Sequence, residues 1–310
     1  MFKPPRTEPP LRDRGHRSVT VCVAAFAAKS NAIVLISDRA VTRGSMATDT
    51  SICKMSQLAN SSWFGLISGA ISTADEILTL AESKLGEYDG SLMSIMKVTS
   101  MAYQEIYDLQ LAKTVFSPKL LTKEDVFLRS RKYLPLSDQL NEEINEDRKQ
   151  FQKDWDSELL ICGFDAKQNC HIFRIWNGHA MSEDRIGYTA VGIGADAAIG
   201  RLMWFESRRD DDLDQVLWDA FDAKVQAEVM QGVGYKWDAH IVLKSKPHQA
   251  IRVPDNIQEL MDKAMNHTNC SPFDSEPEPP EDIPPDDWKA QITEFTRSLI
   301  PAATDGQRSG

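Results

Sequence analysis

The apolar positions of this chain fall into two kinds of run, short continuous runs and longer periodic ones. The short runs are rich in β-branched and small residues and end in turn residues, so they predict strands, the first of them buried on both faces. The predicted strands are residues 20–26 (TVCVAAF), 32–38 (AIVLISD), 46–55 (MATDTSICKM), 61–69 (SSWFGLISG), 157–165 (SELLICGFD), 170–178 (CHIFRIWNG), 188–194 (YTAVGIG) and 237–245 (WDAHIVLKS).

The longer runs repeat their apolar residues at helical spacing and predict helices. We expect Ser72 or Thr73 to cap the first of them. The predicted helices are residues 72–85, 91–112, 138–155, 195 to about 206, 212 to about 230, 254–265 and 287–300. In the main body the order is four strands, two helices, three strands, two helices and one strand. This order predicts an α+β fold with two antiparallel sheets and helices on both outer faces, a four-layer αββα sandwich.

The sequence predicts a main domain, residues 19–266, with an insertion inside it and a segment of different composition at each end. Residues 1–18 are rich in proline and basic residues, and we expect a disordered leader or a mis-assigned start. Residues 114–156 are charged and predict a helical insertion. Residues 267–310 predict an acidic, proline-rich linker and a short amphipathic helix that docks on this chain or on a neighbour.

Composition narrows the function classes. The 310 residues carry a net charge of −11, which argues against a nucleic-acid partner, because that affinity depends on clustered lysine and arginine. Five cysteines, with no CxxC pair and no histidine at metal-ligand spacing, indicate neither a disulfide framework nor a zinc site. Since no export signal or membrane-length apolar run is present, we expect a cytoplasmic protein that binds neither membrane nor cofactor.

Several motifs, in this order, resemble the β-subunit type of proteasome N-terminal nucleophile (Ntn) hydrolases. They are TVCVA at residues 20–24, SDRAVT at 37–42, ICKM at 52–55, LISGAISTADEIL at 66–78 and VGIGADAAIGRL at 191–202. The opening is most similar to the bacterial proteasome relatives of the Anbu type. The resemblance covers residues 20 to about 266.

The resemblance implies four site residues. Thr20 matches the terminal nucleophile, Asp38 the carboxylate, Lys54 the lysine, and the amide of Gly69 the oxyanion donor. A hydroxyl needs a base within hydrogen-bond reach, and an α-amine with a pKa of about 8 is nearly matched to neutral pH. A buried lysine would favour the neutral amine and steady a developing negative charge, while the aspartate would balance its charge.

The α-amine of Thr20 is free only if nothing precedes it. We expect either cleavage after Val19 or translation that begins at codon 19, since valine can be encoded by a bacterial start codon. Ser18 is an alternative nucleophile, because SVTV also fits the opening of the family. The chain departs from the family at Ile193, where a serine is usual, and in residues 229–237 (VMQGVGYKW), where an aspartate and a serine help to orient the amine.

The sequence therefore predicts a bacterial threonine-type peptidase or amidase that hydrolyses peptides or proteins. The resemblance also implies a homo-oligomeric ring or spiral, which an ATP-dependent unfoldase could supply with substrate. Two alternatives stay open, a non-catalytic scaffold subunit and a small-amide amidohydrolase. Taken singly, Thr20 is an ordinary strand residue, Asp38 a turn residue and Lys54 a surface cation.

Overall fold

The structure is a computed structural model, and its described part is divided into two compact units. Among the described residues, one unit lies within 111–155, and the other lies within 20–110 and 157–300. The predicted leader, the rival nucleophile Ser18 and most of the predicted linker lie outside the described residues. The described residues are 20–43, 46–49, 53–58, 61–86, 89–127, 137–155, 157–230, 233–268 and 287–300.

The described strands form two five-stranded antiparallel sheets and a separate two-stranded ribbon. The strands are β1 (Cys22–Ala27), β2 (Ala32–Asp38), β3 (Ala40–Arg43), β4 (Met46–Asp49), β5 (Met55–Gln57), β6 (Trp63–Ser68), β7 (Glu158–Phe164), β8 (Cys170–Trp176), β9 (His179–Ser182), β10 (Tyr188–Val191), β11 (Trp237–Leu243) and β12 (Lys246–Arg252). The first sheet has the order β10-β1-β2-β11-β12, the second β5-β6-β7-β8-β9, and β3 pairs with β4.

The described helices of the larger unit lie between and after these strands along the chain. They are α1 (Ile71–Leu85), α2 (Leu92–Leu111), α5 (Ala195–Trp204), α6 (Leu213–Ala227), α7 (Asp255–Thr268) and α8 (Asp287–Leu299). The smaller unit contains a π-helical turn, a 3-10 turn and two α-helices. These are Ala112–Phe116, Ser117–Lys119, α3 (Lys123–Phe127) and α4 (Asp138–Asp154). The fold is therefore mixed α+β, with antiparallel sheets.

Alternation along β1 explains why its apolar run is continuous. Val23 and Ala25 belong to a core cluster shared with residues of α5, α6, α7 and α8. Ala24 and Phe26 point the other way, into a second cluster that includes Leu160 of β7 and other residues of the second sheet. Because successive side chains of a strand point to opposite faces, β1 has helices on one side and a sheet on the other.

Helix α1 packs on β6 of the second sheet. The two elements come so close at Gly65 that a methyl group there would lie 3.1 Å from Leu78 Cδ2. The predicted cap is wrong, because the helix begins after Ala70 and no side chain caps it. Gly69, with φ of +105°, turns the chain out of β6, so Ser72 and Thr73 already lie inside the first turn.

The predicted strand pattern is wrong at the sheet edges. Residues 46–55 are not one strand, because they contain β4 and only the first residue of β5, and these two strands lie in different sheets. Residues 237–245 do not form the last strand, because β12 follows β11 at the edge of the first sheet. Most residues of β9 and β12 are at least partly exposed, so neither strand needs an apolar run. Within the described residues, no helix combines the length and the apolar character that a membrane span requires.

Candidate active site

Thr20 and Asp38 meet where β1 begins and β2 ends. The two strands are antiparallel, with Cys22 opposite Ser37. Beyond this pair the Asp38 amide donates to the Val21 carbonyl at 3.1 Å, and the Val21 amide donates to Asp38 Oδ1 at 3.3 Å. The hairpin therefore places the Asp38 carboxylate beside the residue that enters β1.

Lys54 reaches the same point from the second sheet. It directly precedes β5, and its carbonyl accepts a hydrogen bond from the amide of Ile67 at 3.0 Å. Its Nζ lies 2.5 Å from Asp38 Oδ1 and contacts Thr20 Oγ1. Thr20 Oγ1 in turn donates to Asp38 Oδ1. Three of the four predicted site residues are thus in mutual contact.

All three residues are buried. The exposed fractions are 1% for Thr20, 0% for Asp38 and 3% for Lys54. Ionised side chains are stable at such depth only when they are paired and hydrogen-bonded. Asp38 meets this requirement, because its second oxygen, Oδ2, accepts the amide of Gly234 at 2.9 Å. Both oxygens of the carboxylate therefore have partners.

A glycine turn lies against the backbone of Thr20. Gly192 has φ of +99°, and a methyl group there would lie 2.3 Å from the Thr20 carbonyl oxygen. The Gly194 amide donates to that oxygen at 3.4 Å, and the Gly192 amide donates to Glu158 Oε2 at 2.9 Å. Only glycine allows this approach, since any side chain at 192 would displace Thr20.

Gly69 is placed at the border of the same region. It follows Ser68, the last residue of β6, and has the positive φ described above. Ser68 Oγ would lie 2.8 Å from a methyl group on Gly192, so the end of β6 and the glycine turn are neighbours. The role of the Gly69 amide as an oxyanion donor stays a prediction.

Cys22 is the thiol closest in sequence to Thr20, and its environment makes it unreactive. Burial raises its pKa to about 12, against the opposing charge of Lys54. The Sγ–H group donates to the Ile67 carbonyl at 3.4 Å. Since the thiolate is the reactive form, Cys22 acts as a packing residue. In the described part of the chain, no cluster of three or more histidine, cysteine, aspartate or glutamate residues could hold a metal ion.

Glu158 and Gly234 also contribute to the site, and the sequence pattern did not point to either of them. Gly234 acts through its backbone amide and lies in the segment where the family pattern was absent, so no side-chain motif pointed to it. Glu158 is the one charged residue of β7, a strand in which the other six residues are buried. A carboxylate at the start of an otherwise apolar strand was the sequence feature that could have pointed to Glu158.

Comparison of the sequence with protein-family models and with curated proteins gives no match.

Proposed function

We propose that this chain is a threonine-type Ntn peptidase or amidase of the proteasome-like class, active once Thr20 is the first residue. The observation that carries the proposal is the buried contact among Thr20, Asp38 and Lys54. A hydroxyl that contacts both a buried ammonium group and a buried carboxylate is unusual, and buried charged groups that meet in this way are frequent at functional sites.

The proposed fold is the four-layer αββα sandwich. It is supported by the core cluster shared between the two sheets and by the helices that pack on them, α5 and α6 on the first sheet and α1 on the second. In this arrangement Thr20 and Asp38 come from the first sheet, and Lys54 from the start of the second. The site would then lie at one end of the interface between the sheets.

In the proposed reaction, Thr20 Oγ1 attacks a substrate carbonyl and its proton passes to the free α-amine. The amine returns that proton to the leaving nitrogen, which leaves an ester on Thr20 that water hydrolyses. The Lys54 ammonium group stabilises the negative charge that develops, and Asp38 holds it in place. The Gly69 amide would bind the oxyanion. Assembly into a homo-oligomeric ring or spiral, with peptide or protein substrates, is part of the proposal.

The decisive experiment joins N-terminal sequencing to a matched pair of threonine variants. Protein purified from its native host is sequenced, treated with a peptide vinyl sulfone and assayed with fluorogenic peptides. We expect a chain that begins at Thr20 and is labelled there. Thr20→Val should lower turnover by about 1000-fold or more. Thr189→Val, at another buried strand threonine, should leave turnover close to wild type.

Two other results would each point to a different class. A chain that begins at Met1 and is not labelled would indicate a scaffold subunit, because an acylated nitrogen is not a base. Labelling at Thr20 without turnover of any peptide would indicate an amidohydrolase for small amides.

A further inference from the structure

Lys224 is a fully buried lysine that the mechanism above does not use. It lies in the last turn of α6, and its exposed fraction is 0%. Its Nζ donates to the carbonyl of Tyr235 at 2.7 Å and contacts the carboxylate of Glu228 one turn further on. A lysine is almost never fully buried without partners, so these two contacts explain how the charge is tolerated.

The carbonyl that Lys224 binds belongs to the backbone that contacts Asp38. Tyr235 directly follows Gly234, whose amide donates to Asp38 Oδ2 at 2.9 Å. Tyr235 itself is 76% exposed, so its side chain does not anchor the segment. Residues 233–236 lead into β11, where Trp237 pairs with Asp38. Lys224 therefore binds the carbonyl of the residue that directly follows Gly234.

We propose that Lys224 is a positioning residue, which fixes the Gly234 amide on Asp38 by binding the Tyr235 carbonyl. The proposal rests on the function proposed above and extends it. Residues 229–237 lack the aspartate and serine of the resembled family, yet residue 234 still reaches the site through its backbone. Gly234 has no side chain that could fix the direction of its amide. In this proposal the buried ammonium group of Lys224 fixes it instead, by binding the carbonyl of the next residue.

The electrostatics agree with this placement. Burial lowers the pKa of Lys224, and the negative charges of Glu228 and Asp38 act in the opposite direction. Lys224 is thus a second buried cation, after Lys54, that interacts electrostatically with Asp38. An ion pair at an exposed helix end would contribute little to stability. The ammonium group of Lys224 is buried, so solvent weakens its interactions with nearby charges much less.

The test compares Lys224→Met with Lys236→Met, which removes the same charge from an exposed position of the adjoining segment. Hydrogen exchange of the Gly234 amide is followed by NMR in the full chain, with β7 amides as the internal reference. We expect Lys224→Met to speed exchange at Gly234 by about tenfold or more while β7 is unaffected, and Lys236→Met to change neither. Unchanged exchange at Gly234 would overturn the proposal.

Peptide turnover gives the second measurement, in protein that begins at Thr20. Lys224→Met should lower kcat by roughly 10- to 100-fold with KM within about twofold, because Asp38 is misplaced while substrate contacts are kept. Faster exchange with an unchanged kcat would also overturn the proposal. If wild type itself has no turnover, the proposed function is wrong, and exchange alone decides whether Lys224 holds Gly234.

Lys224→Met removes the cation that contacts Glu228, so a second variant guards against a loss of folding. The double variant Lys224→Met/Glu228→Gln removes both charges of this pair and keeps similar volumes, so the net charge at this end of α6 is unchanged. We expect it to give the same exchange and kcat changes as the single variant. A double variant that folds and retains wild-type exchange at Gly234 would contradict the positioning role.

Discussion

At the scale of the residue, Asp38 is the side chain of the candidate site whose burial costs the most desolvation free energy. It is fully buried, it faces Lys54 at 2.5 Å, and Thr20 and Gly234 complete its contacts. Removing two charges from water costs several kcal/mol for each ion, and apolar replacements are often as stable. Under the function proposed above, the Asp38–Lys54 pair serves chemistry at Thr20 rather than stability.

His171 is a partly buried residue between two carboxylates, and it gives the first prediction. Its Nδ1 lies 2.7 Å from Asp184 Oδ2 and its Nε2 lies 3.3 Å from Asp165 Oδ2. The ring stacks on Trp63 with centroids 5.9 Å apart. Burial alone would lower the pKa of His171, but the hydrogen bond and charge of Asp184, together with Asp165, outweigh it and raise the pKa.

Since its pKa is raised on folding, His171 stabilises the folded chain through its protonated form. The contribution is complete below the pKa of the unfolded chain, about 6.5, and is lost as pH rises through the higher folded pKa. His171→Gln should therefore lower the free energy of unfolding more at pH 5.5 than at pH 8.5 in urea titrations. His179→Gln, at an exposed position of β9, should show no such difference. An equal loss at both pH values would contradict the charged pairing.

At the scale of the element, the turn between β10 and α5 decides where Thr20 lies. Gly192→Ala should lower the free energy of unfolding by about 2 kcal/mol or more, because of its positive φ and the contact with the Thr20 carbonyl. Gly200→Ala is the matched control, since Gly200 is exposed in α5 and a methyl group there meets nothing within 4 Å. That variant should gain about 0.5–1 kcal/mol from helix propensity.

Urea denaturation of both variants measures the difference, and peptide turnover measures its effect on the site. We expect Gly192→Ala to lose turnover even under conditions where it is folded, because Thr20 must move away from the new methyl group. Wild-type stability and turnover in Gly192→Ala would show that the turn does not constrain Thr20.

The same elements show what the sequence could and could not predict. β2 matched its predicted run, residues 32–38, and all its residues are buried. β12 was missed because an edge strand with an exposed face carries no such run. At the site, motifs marked Thr20, Asp38 and Lys54, which the structure brings into contact, while their catalytic role stays a prediction. Gly234 acts through its backbone, which a side-chain pattern cannot report.

At the scale of the whole molecule, α8 joins the C-terminal part of the chain to the main core. Trp288 lies with its ring centroid 4.5 Å from that of Trp218 in α6, and Thr293 Oγ1 donates to Asp214 Oδ2 at 2.5 Å. Ile292 is 2% exposed and belongs to the core cluster of the first sheet. Of the two sites expected for this amphipathic helix, α8 occupies the one on its own chain, where it covers α6.

If α8 is an integral part of the core, truncating its buried side chain must destabilise the entire larger unit. Ile292→Ala should lower the free energy of unfolding by about 2–5 kcal/mol, from lost transfer energy and the cavity left behind. Glu294→Ala, at an exposed position of the same helix, should stay within about 0.5 kcal/mol of wild type. Urea titrations followed by tryptophan fluorescence compare the two variants, since Trp218 and Trp288 report on this contact. A loss below about 1 kcal/mol for Ile292→Ala would mean that α8 detaches before the core unfolds, and the other expected site for this helix, on a neighbouring chain, would then come into question.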